Sequence, residues 1–277
     1  MITSWMKKAS SNSPVERKPG QYTSKILKAS ALLDDTKLFF SYWNENLTVH
    51  ENLSQIRELN IFGKASRSRV EDILAIFRQR YLTDADITAA LSYLVKSNTS
   101  NEFLYPIFLF YSAKADSLLH DIVTKVLWDY VQQGRRSISV EDIKHHIYAW
   151  MKEGKMTSHW AESTVTNVAQ HLLATLRDFG LLEGAMKKQI TPFFMPNDAF
   201  AFIAFSLYLK GLLGEALVKT PEWQLLLLPQ WSVERFFMEA HQEDLLEYHA
   251  AGSVVRIEFP ASSLTEYAHV ITKKKDR

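Results

Sequence analysis

The sequence contains no cysteine and few of the residues that interrupt regular structure. Among its 277 residues, Gly occurs 9 times, Pro 8 times and Cys 0 times. The lack of cysteine excludes a disulfide scaffold, a thiolate metal site and a cysteine nucleophile, and it favours a cytoplasmic location. So few turn residues argue against a large β-sandwich or barrel. At about 150 residues per domain, the length predicts about two domains.

A membrane span is also not expected. The stretch 199–218 is apolar and long enough to cross a bilayer, but Lys210 lies near its middle and Glu215 near its end. Each charge at membrane depth would cost about 2.5–3.5 kcal/mol. We therefore predict a buried helix that breaks near Gly211, and no membrane partner. The N-terminus resembles no signal peptide, because Lys7 and Lys8 lead into a polar stretch instead of an apolar run.

The net charge of +1 conceals an uneven distribution. Residues 1–30 carry six cations and one carboxylate, for a charge of +5, and residues 271–277 carry four cations and one carboxylate, for +3; the remainder is therefore −7. Basic ends on an acidic body suggest a polyanionic partner, because Lys and Arg release counterions when they bind phosphates. The alternative is that short basic ends only aid solubility.

Apolar residues recur at helical spacing through most of the chain. We predict a mainly α fold: a helical bundle with winged helix-turn-helix elements and two short β-hairpins. In detail, Asp34 and Asp35 should open one helix, Ser66 should cap a helix over 67–81, and one helix should cover 115–133. The predicted parts are a disordered basic leader (1–21), an N-terminal helical domain (22–133), a winged helix-turn-helix (134–195), C-terminal helices with the second hairpin (196–271) and a basic tail (272–277).

The part after Gly134 has a distinctive order of elements. Ser139 and Asp142 form a capping-box pattern that opens a helix to residue 153. A longer helix follows over 158–179, ended by Gly180, and then a hairpin over 181–194. This order is typical of a winged helix-turn-helix, whose second helix enters the DNA major groove while the hairpin touches the backbone beside it.

The longer helix carries polar residues opposite its apolar stripe. Asn and Gln can bind an adenine edge, and Arg can bind guanine. The candidate DNA-contacting residues on this face are Ser163, Thr166, Asn167, Gln170 and Arg177. At the predicted helix N-terminus, where the dipole favours a phosphate, the candidates are Ser158, His159 and Thr164. Lys187 and Lys188 lie on the hairpin. Two alternatives remain open: a winged helix that docks a protein, and a purely structural unit.

A second basic patch lies in the segment GKASRSR and the helix after it. Residues 60–82 carry five cations against two carboxylates. Lys64, Arg67 and Arg69 are candidate phosphate contacts, because cations at a helix N-terminus oppose the dipole and call for an anion. A carboxylate of the same chain would satisfy this need equally well. The second hairpin, over 247–259 with His249 and Arg256, is a weaker candidate for another wing.

Two segments carry a resemblance to a known family. The stretches HWAESTVTNVAQHLLATLRDFGLLEG (159–184) and YTSKILKASALLDDTKLFF (22–40) resemble the BrxA-type proteins of BREX phage-defence systems, and the similarity extends from about Tyr22 to Ile271. The resemblance implies a mostly α-helical accessory protein with winged-helix elements that binds double-stranded DNA. It also implies work beside methyltransferase, ATPase and phosphatase-like components. It names no catalytic residues.

Motifs for catalysis are missing from the sequence. It has no GxxxxGK[ST] phosphate loop, no GxGxxG and no HExxH, and we expect no cofactor, metal or catalytic residue. We therefore predict a non-enzymatic protein that binds the backbone of double-stranded DNA with weak sequence preference. The alternatives are an adaptor that assembles defence components without touching DNA, an RNA-binding protein without an RRM-like motif, and a DNA-cleaving or modifying enzyme.

Overall fold

The computed structural model describes residues 21–185, 187–252 and 254–275. Over these residues the chain is mainly α-helical and has two small antiparallel sheets, which confirms the predicted fold class. Residues 1–20 of the predicted disordered leader and residues 276–277 of the predicted tail lie outside the described residues. The same holds for Met186 and Ser253, which lie within the two predicted hairpins.

The first half of the chain forms short, well-capped helices. The side chains of Thr48, Ser66, Asp84 and Ser100 each accept a hydrogen bond from a backbone N–H group in the first turn of the following helix. The predicted cap at Ser66 is thereby confirmed. The helices are α1 (Ile26–Ala29), α2 (Leu33–Tyr42), α3 (Val49–Glu58), α4 (Arg67–Tyr81), α5 (Ala85–Lys96) and α6 (Asn101–Ala115).

Helix α2 begins one residue before the predicted acidic cap. Leu32 occupies the N-cap position in a left-handed conformation (φ 50°), and its carbonyl accepts both the N–H (2.8 Å) and the hydroxyl (2.7 Å) of Thr36. Asp34 and Asp35 therefore lie inside the first turn, where a negative charge interacts favourably with the helix dipole. The prediction that they cap the helix was wrong.

The helical run predicted over 115–133 is divided into three parts. Asp116 separates it from α6, because its carboxylate accepts the N–H groups of Leu118 (2.9 Å) and Leu119 (3.1 Å). Helix α7 (Ser117–Asp121) continues into a π-helical segment (Ile122–Leu127) and then into α8 (Trp128–Gln132). The wider π turn buries two pairs of consecutive residues in the core: Ile122 with Val123, and Val126 with Leu127.

The next part contains a strand that the sequence analysis did not predict. The elements are β1 (Ser137–Ile138), α9 (Val140–Lys152), α10 (Glu162–Asp178), β2 (Leu182–Glu183) and β3 (Lys188–Ile190). β3 pairs antiparallel with both other strands, so the strand order is β1-β3-β2. The two-residue strand β1 is too short to show an alternating pattern in sequence.

The remaining chain returns to helices around one hairpin. It comprises α11 (Asn197–Tyr208), α12 (Gly214–Lys219), a 3₁₀ helix (Pro221–Leu226), α13 (Gln230–Gln242), β4 (Glu247–Ala251), β5 (Val254–Glu258) and α14 (Leu264–Lys275). Helix α11 ends at Tyr208, close to the predicted break at Gly211 (φ 92°). Within the described ranges, every helix is too short or too polar to cross a bilayer.

The buried residues form a continuous core that links the beginning and the end of the chain. Helix α14 packs on α5, and α11 packs on α6. Phe200 on α11 lies with its ring centroid 4.7–5.0 Å from the rings of Trp223, Phe236 and Phe237. The predicted basic tail partly belongs to this body, because Lys274 on α14 donates to the carbonyls of Glu243 (3.0 Å) and Asp244 (2.5 Å). The division into domains stays a prediction.

Candidate nucleic-acid interface

Helix α9, which packs on α10, begins with a network of hydrogen bonds and an ion pair. The predicted capping box is present: Ser139 Oγ accepts the N–H of Asp142 (3.2 Å), and the Asp142 carboxylate accepts the N–H of Ser139 (2.8 Å). Arg135 adds an ion pair to the same carboxylate at 2.7 Å. Partial burial raises the pKa of Asp142, but the hydrogen bonds from Arg135 and Ser139 outweigh it and lower that pKa overall.

His146 on α9 lies half-buried between aromatic rings, 6.0 Å from Trp150 and 6.2 Å from Tyr130 (ring centroids). Burial, and then the neighbouring His145, lower the pKa of His146 from 6.5. The unfolded chain therefore binds this proton more readily, so stability is full above about pH 6.5 and falls as the pH drops below it. We expect thermal melts from about pH 7.5 to about 5.5 to show this loss, and His146→Gln to reduce it.

The matched control is His50→Gln, because His50 is exposed on α3. This variant should keep the acid-induced loss of stability seen in the wild-type protein. An equal pH dependence in wild type and His146→Gln would contradict the assignment to His146.

Helix α10 buries one face and exposes the predicted polar face. Val165, Val168 and Leu172 are fully buried. On the opposite side Ser163, Asn167 and Gln170 are exposed, while Thr164 and Thr166 are partly exposed. Ser163 and Gln170 are separated by about 10 Å along the helix axis, at 1.5 Å per residue. His171, which the sequence analysis did not select although it follows Asn167 by four residues, is exposed beside them. We call Ser163, Asn167, Gln170 and His171 the α10 ridge.

The start of α10 differs from the prediction. The helix begins at Glu162 with Ala161 as its N-cap, so Ser158 and His159 lie exposed in the preceding turn. The sequence pattern predicts a cap at Thr157 or Ser158 for a helix that starts at residue 158, and this prediction was wrong. The Thr157 hydroxyl donates instead to the Tyr22 carbonyl (3.2 Å). Of the three predicted N-terminal residues, only Thr164 is in the first turn. Glu162 in that turn repels an anion and weakens this position as a phosphate site.

The two lysines of the β2–β3 hairpin have different environments. Lys187 is exposed. Lys188 is only 8% exposed, and its ammonium donates to the carbonyls of Gly184 (2.7 Å) and Ala185 (2.9 Å). Lys188 is opposite Ile138 of β1, on the inner face of the sheet. Its predicted role as a phosphate contact is therefore corrected: this lysine holds the hairpin turn together.

This difference predicts different outcomes for two neighbouring substitutions. Lys188→Gln should leave the turn carbonyls without their charged donor and lower the free energy of unfolding by about 1–3 kcal/mol. Lys187→Gln should leave stability within about 0.5 kcal/mol of wild type. Denaturant unfolding of both variants measures this. Equal stability of the two would contradict the assigned role of Lys188.

Arg177 is exposed but already paired. Its guanidinium contacts the carboxylate of Asp178 at 2.9 Å. It is also in the last turn of α10, about 21 Å from Ser163 along the axis. Recognition helices contact base edges mainly with residues near their N-terminal end. Arg177 is thus separated from the α10 ridge, and its predicted base contact is not favoured by this placement.

Half of the eight cations of residues 133–192 are neutralised locally. Four form ion pairs with carboxylates: Arg135 with Asp142, Lys144 with Glu141, Lys155 with Glu153, and Arg177 with Asp178. Three exposed cations form no ion pair with any residue that the structure describes: Arg136, Lys152 and Lys187. Sequence analysis missed Arg136 and Lys152, because only the folded chain shows which cations remain unpaired.

The second basic patch is largely neutralised. Lys64 pairs with Asp35 at 2.9 Å, and Arg69 is partly buried and donates to the carbonyl of Lys28 at 2.6 Å. Arg67 is exposed and makes no ion pair within the described part of the chain. A carboxylate and a carbonyl group of the same chain therefore compensate Lys64 and Arg69, so these two cations near the N-terminus of α4 need no external anion. Of the three predicted phosphate contacts here, only Arg67 is available.

The second hairpin also lacks free positive charge. Arg256 on β5 pairs with Glu258 at 2.6 Å, and His249 on β4 lies 3.9 Å from Glu247. The described residues contain no group of three His, Asp or Glu side chains arranged to hold a metal ion.

These features define a mainly α-helical protein with an exposed polar face on α10, a helix that follows the α9–α10 turn and precedes a small β-hairpin. Comparison with family models gives the identity of the family: the model named BrxA matches residues 20–206, which is more than half of the chain. The chain therefore belongs to the BrxA family, and this membership implies a component of a BREX phage-defence system. No curated protein matches the sequence.

Proposed function

We propose that this protein is a non-enzymatic accessory component of a BREX system that binds double-stranded DNA through a winged helix-turn-helix formed by residues 134–195. The observation that carries the proposal is the exposed α10 ridge, whose Asn167 and Gln170 side chains are free to meet base edges. The element order strand, helix, helix and hairpin over these residues supports it, because the hairpin lies directly after the exposed helix.

Binding in this proposal depends mostly on the phosphate backbone. Lys187 on the hairpin and Arg136 beside β1 are exposed and supply the cations for this binding. Few side chains are available to read bases, so sequence preference is weak. The lack of a phosphate loop, a dinucleotide fingerprint or a zincin motif supports a non-enzymatic role. The cytoplasm, where DNA and the methyltransferase, ATPase and phosphatase-like components meet, is the proposed location.

A fluorescence anisotropy titration with a short DNA duplex tests the proposal. The logarithm of the binding constant should fall linearly with the logarithm of salt concentration, with a slope of about −0.9 for each neutralised phosphate. Lys187→Gln should make this slope about 0.9 less steep for every duplex sequence. Affinity that does not respond to salt, or no binding at all, would overturn the proposal.

A second candidate function is an adaptor that docks other defence components. Two large apolar side chains on α13 favour it: Trp231 is 66% exposed and Met238 is 48% exposed, seven residues apart on one helix face. In this case Trp231→Ala with Met238→Ala should abolish co-purification with the BREX components. DNA-duplex titrations would then show no binding by the wild-type protein.

A further inference from the structure

We infer that the exposed side of α13 and the adjoining open end of the β4–β5 hairpin form a docking surface for a cationic amphipathic helix of a partner protein. This inference goes beyond DNA binding and does not rest on it. It names the chemistry of the partner that fits the apolar residues of α13. It follows from the spacing of these residues, from the charge around them and from a cavity at the end of the helix.

Trp231 and Met238 are the two large apolar side chains that α13 exposes. They are seven residues apart, or about 10 Å along the helix axis, and therefore lie on the same side of α13. The apolar residues of an amphipathic helix recur at the same spacing, so such a helix laid along α13 meets both side chains. Tryptophan is also among the residues that contribute most to the affinity of protein interfaces.

The charge around these side chains is negative. Residues 230–258 carry six carboxylates and two cations. Both cations are already paired, Arg235 with Glu239 at 3.5 Å and Arg256 with Glu258 at 2.6 Å. The other four carboxylates are exposed and form no ion pair with any Lys or Arg that the structure describes: Glu234, Glu243, Asp244 and Glu247. This surface therefore repels a nucleic acid and attracts a cationic segment.

A cavity at the C-terminal end of α13 gives a cationic side chain a defined place. Its volume is about 430 Å³, and its lining includes His241 of α13 and the aromatic residue Phe259. Three carboxylate residues also line it: Asp244, Glu247 and Glu258. The last carbonyls of α13 add a partial negative charge at the same end. Carboxylates beside an aromatic ring suit the charged head of a Lys or Arg side chain.

The cavity continues the line of the two apolar side chains. His241 follows Met238 by three residues, so the cavity begins about one turn beyond Met238. From Trp231 to His241 the helix rises by about 15 Å, which a partner helix spans in about three turns. The apolar side chains of that helix contact Trp231 and Met238, while a Lys or Arg at one of its ends enters the cavity.

Anisotropy titrations of the full chain with a fluorescein-labelled synthetic helix test this surface. The probe has leucine at helical spacing and lysine at its other positions, and a comparison probe has glutamate in place of each lysine. We expect the wild-type protein to bind the lysine probe at least about 10-fold more tightly, because only this probe complements the exposed carboxylates.

Two charge variants separate the cavity from the general negative charge of the protein. Asp244→Asn with Glu247→Gln removes two carboxylates of the cavity. The matched control, Glu45→Gln with Glu58→Gln, removes two exposed carboxylates before α3 and at its end. The cavity variant should bind the lysine probe about 10-fold or more weakly, and the control should stay within about 2-fold of wild type. Equal losses in the two would overturn the role of the cavity.

Two apolar variants test the contact with α13. Trp231→Ala with Met238→Ala should weaken binding of the lysine probe by about 30-fold or more, because it removes both anchors of the surface. Val49→Ala with Leu59→Ala removes two exposed apolar side chains at the ends of α3 and should leave binding within about 2-fold of wild type. The same affinity in these two variants would contradict docking on α13.

Other occupants of the surface give different results. A wild-type dimer in size-exclusion chromatography that Trp231→Ala with Met238→Ala dissociates would overturn the inference and assign the surface to a second copy of the chain. Failure of the wild type to prefer the lysine probe would also overturn it. Duplex titrations are a separate outcome, since the Trp231 and Met238 variant should bind a DNA duplex like the wild type. Absence of duplex binding would therefore overturn only the proposed function.

Discussion

Replacing Asn167 and Gln170 by glutamate should lower the affinity for a DNA duplex by about 30-fold or more. Each residue is exposed on the α10 ridge and can form a bidentate pair with a base edge, worth about 1–3 kcal/mol. The two losses together amount to at least about 2 kcal/mol, and a factor of ten corresponds to about 1.4 kcal/mol. The new carboxylates also repel the phosphates on either side of the groove, which adds to the loss.

The matched control is Gln55→Glu with Gln242→Glu. These glutamines are exposed near the ends of α3 and α13, so the control adds the same two negative charges elsewhere. It should lower affinity only through the general electrostatic effect, which salt screens. Both variants should melt like the wild type, because surface substitutions change stability by about 0.5 kcal/mol or less. Equal loss of affinity in the two variants would contradict a role for the α10 ridge.

The helices could be predicted from sequence because their signals are local. Ser66, Ser139 and Gly180 end or begin helices through hydrogen bonds and backbone angles that involve only a few neighbouring residues. The start of α10 could not be predicted in this way. Trp160 is 4% exposed, and Thr157 is held by Tyr22, 135 residues earlier in the chain. Contacts between distant residues therefore determine where this helix begins.

The difference between local signals and contacts of distant residues also explains which properties of the candidate site could be predicted from sequence. The exposure of Asn167 and Gln170 follows from the helical period of the apolar stripe that begins at Val165. The burial of Lys188 depends on its pairing with β1, a strand of two residues without a sequence signal. The neutralisation of Lys64 depends on Asp35 in another helix. Periodicity predicts which face of an element is polar, whereas charge pairing between elements requires the folded chain.

Arg80 is a further cation whose environment could not be predicted from sequence. By sequence it counts among the cations of the second basic patch, but it is 4% exposed. Its guanidinium donates to the carbonyls of Ser30 (2.7 Å) and Ala31 (3.3 Å). Asp116 lies near enough to interact with it electrostatically. Burial raises the pKa of Asp116, and Arg80 counteracts this. Arg80 thus links the α1–α2 connection to α4 and compensates the partly buried carboxyl group of Asp116.

Arg80→Gln should therefore lower the free energy of unfolding by about 3 kcal/mol, because it removes the charged donor of two carbonyl groups and the charge that compensates the partly buried Asp116. Arg78→Gln, two residues earlier on the same helix and exposed, should change it by no more than about 0.5 kcal/mol. Denaturant unfolding measures both values, and both variants should bind a DNA duplex with the wild-type salt slope while folded. A stable Arg80→Gln protein with a weaker salt slope would mean that Arg80 acts at the surface after all.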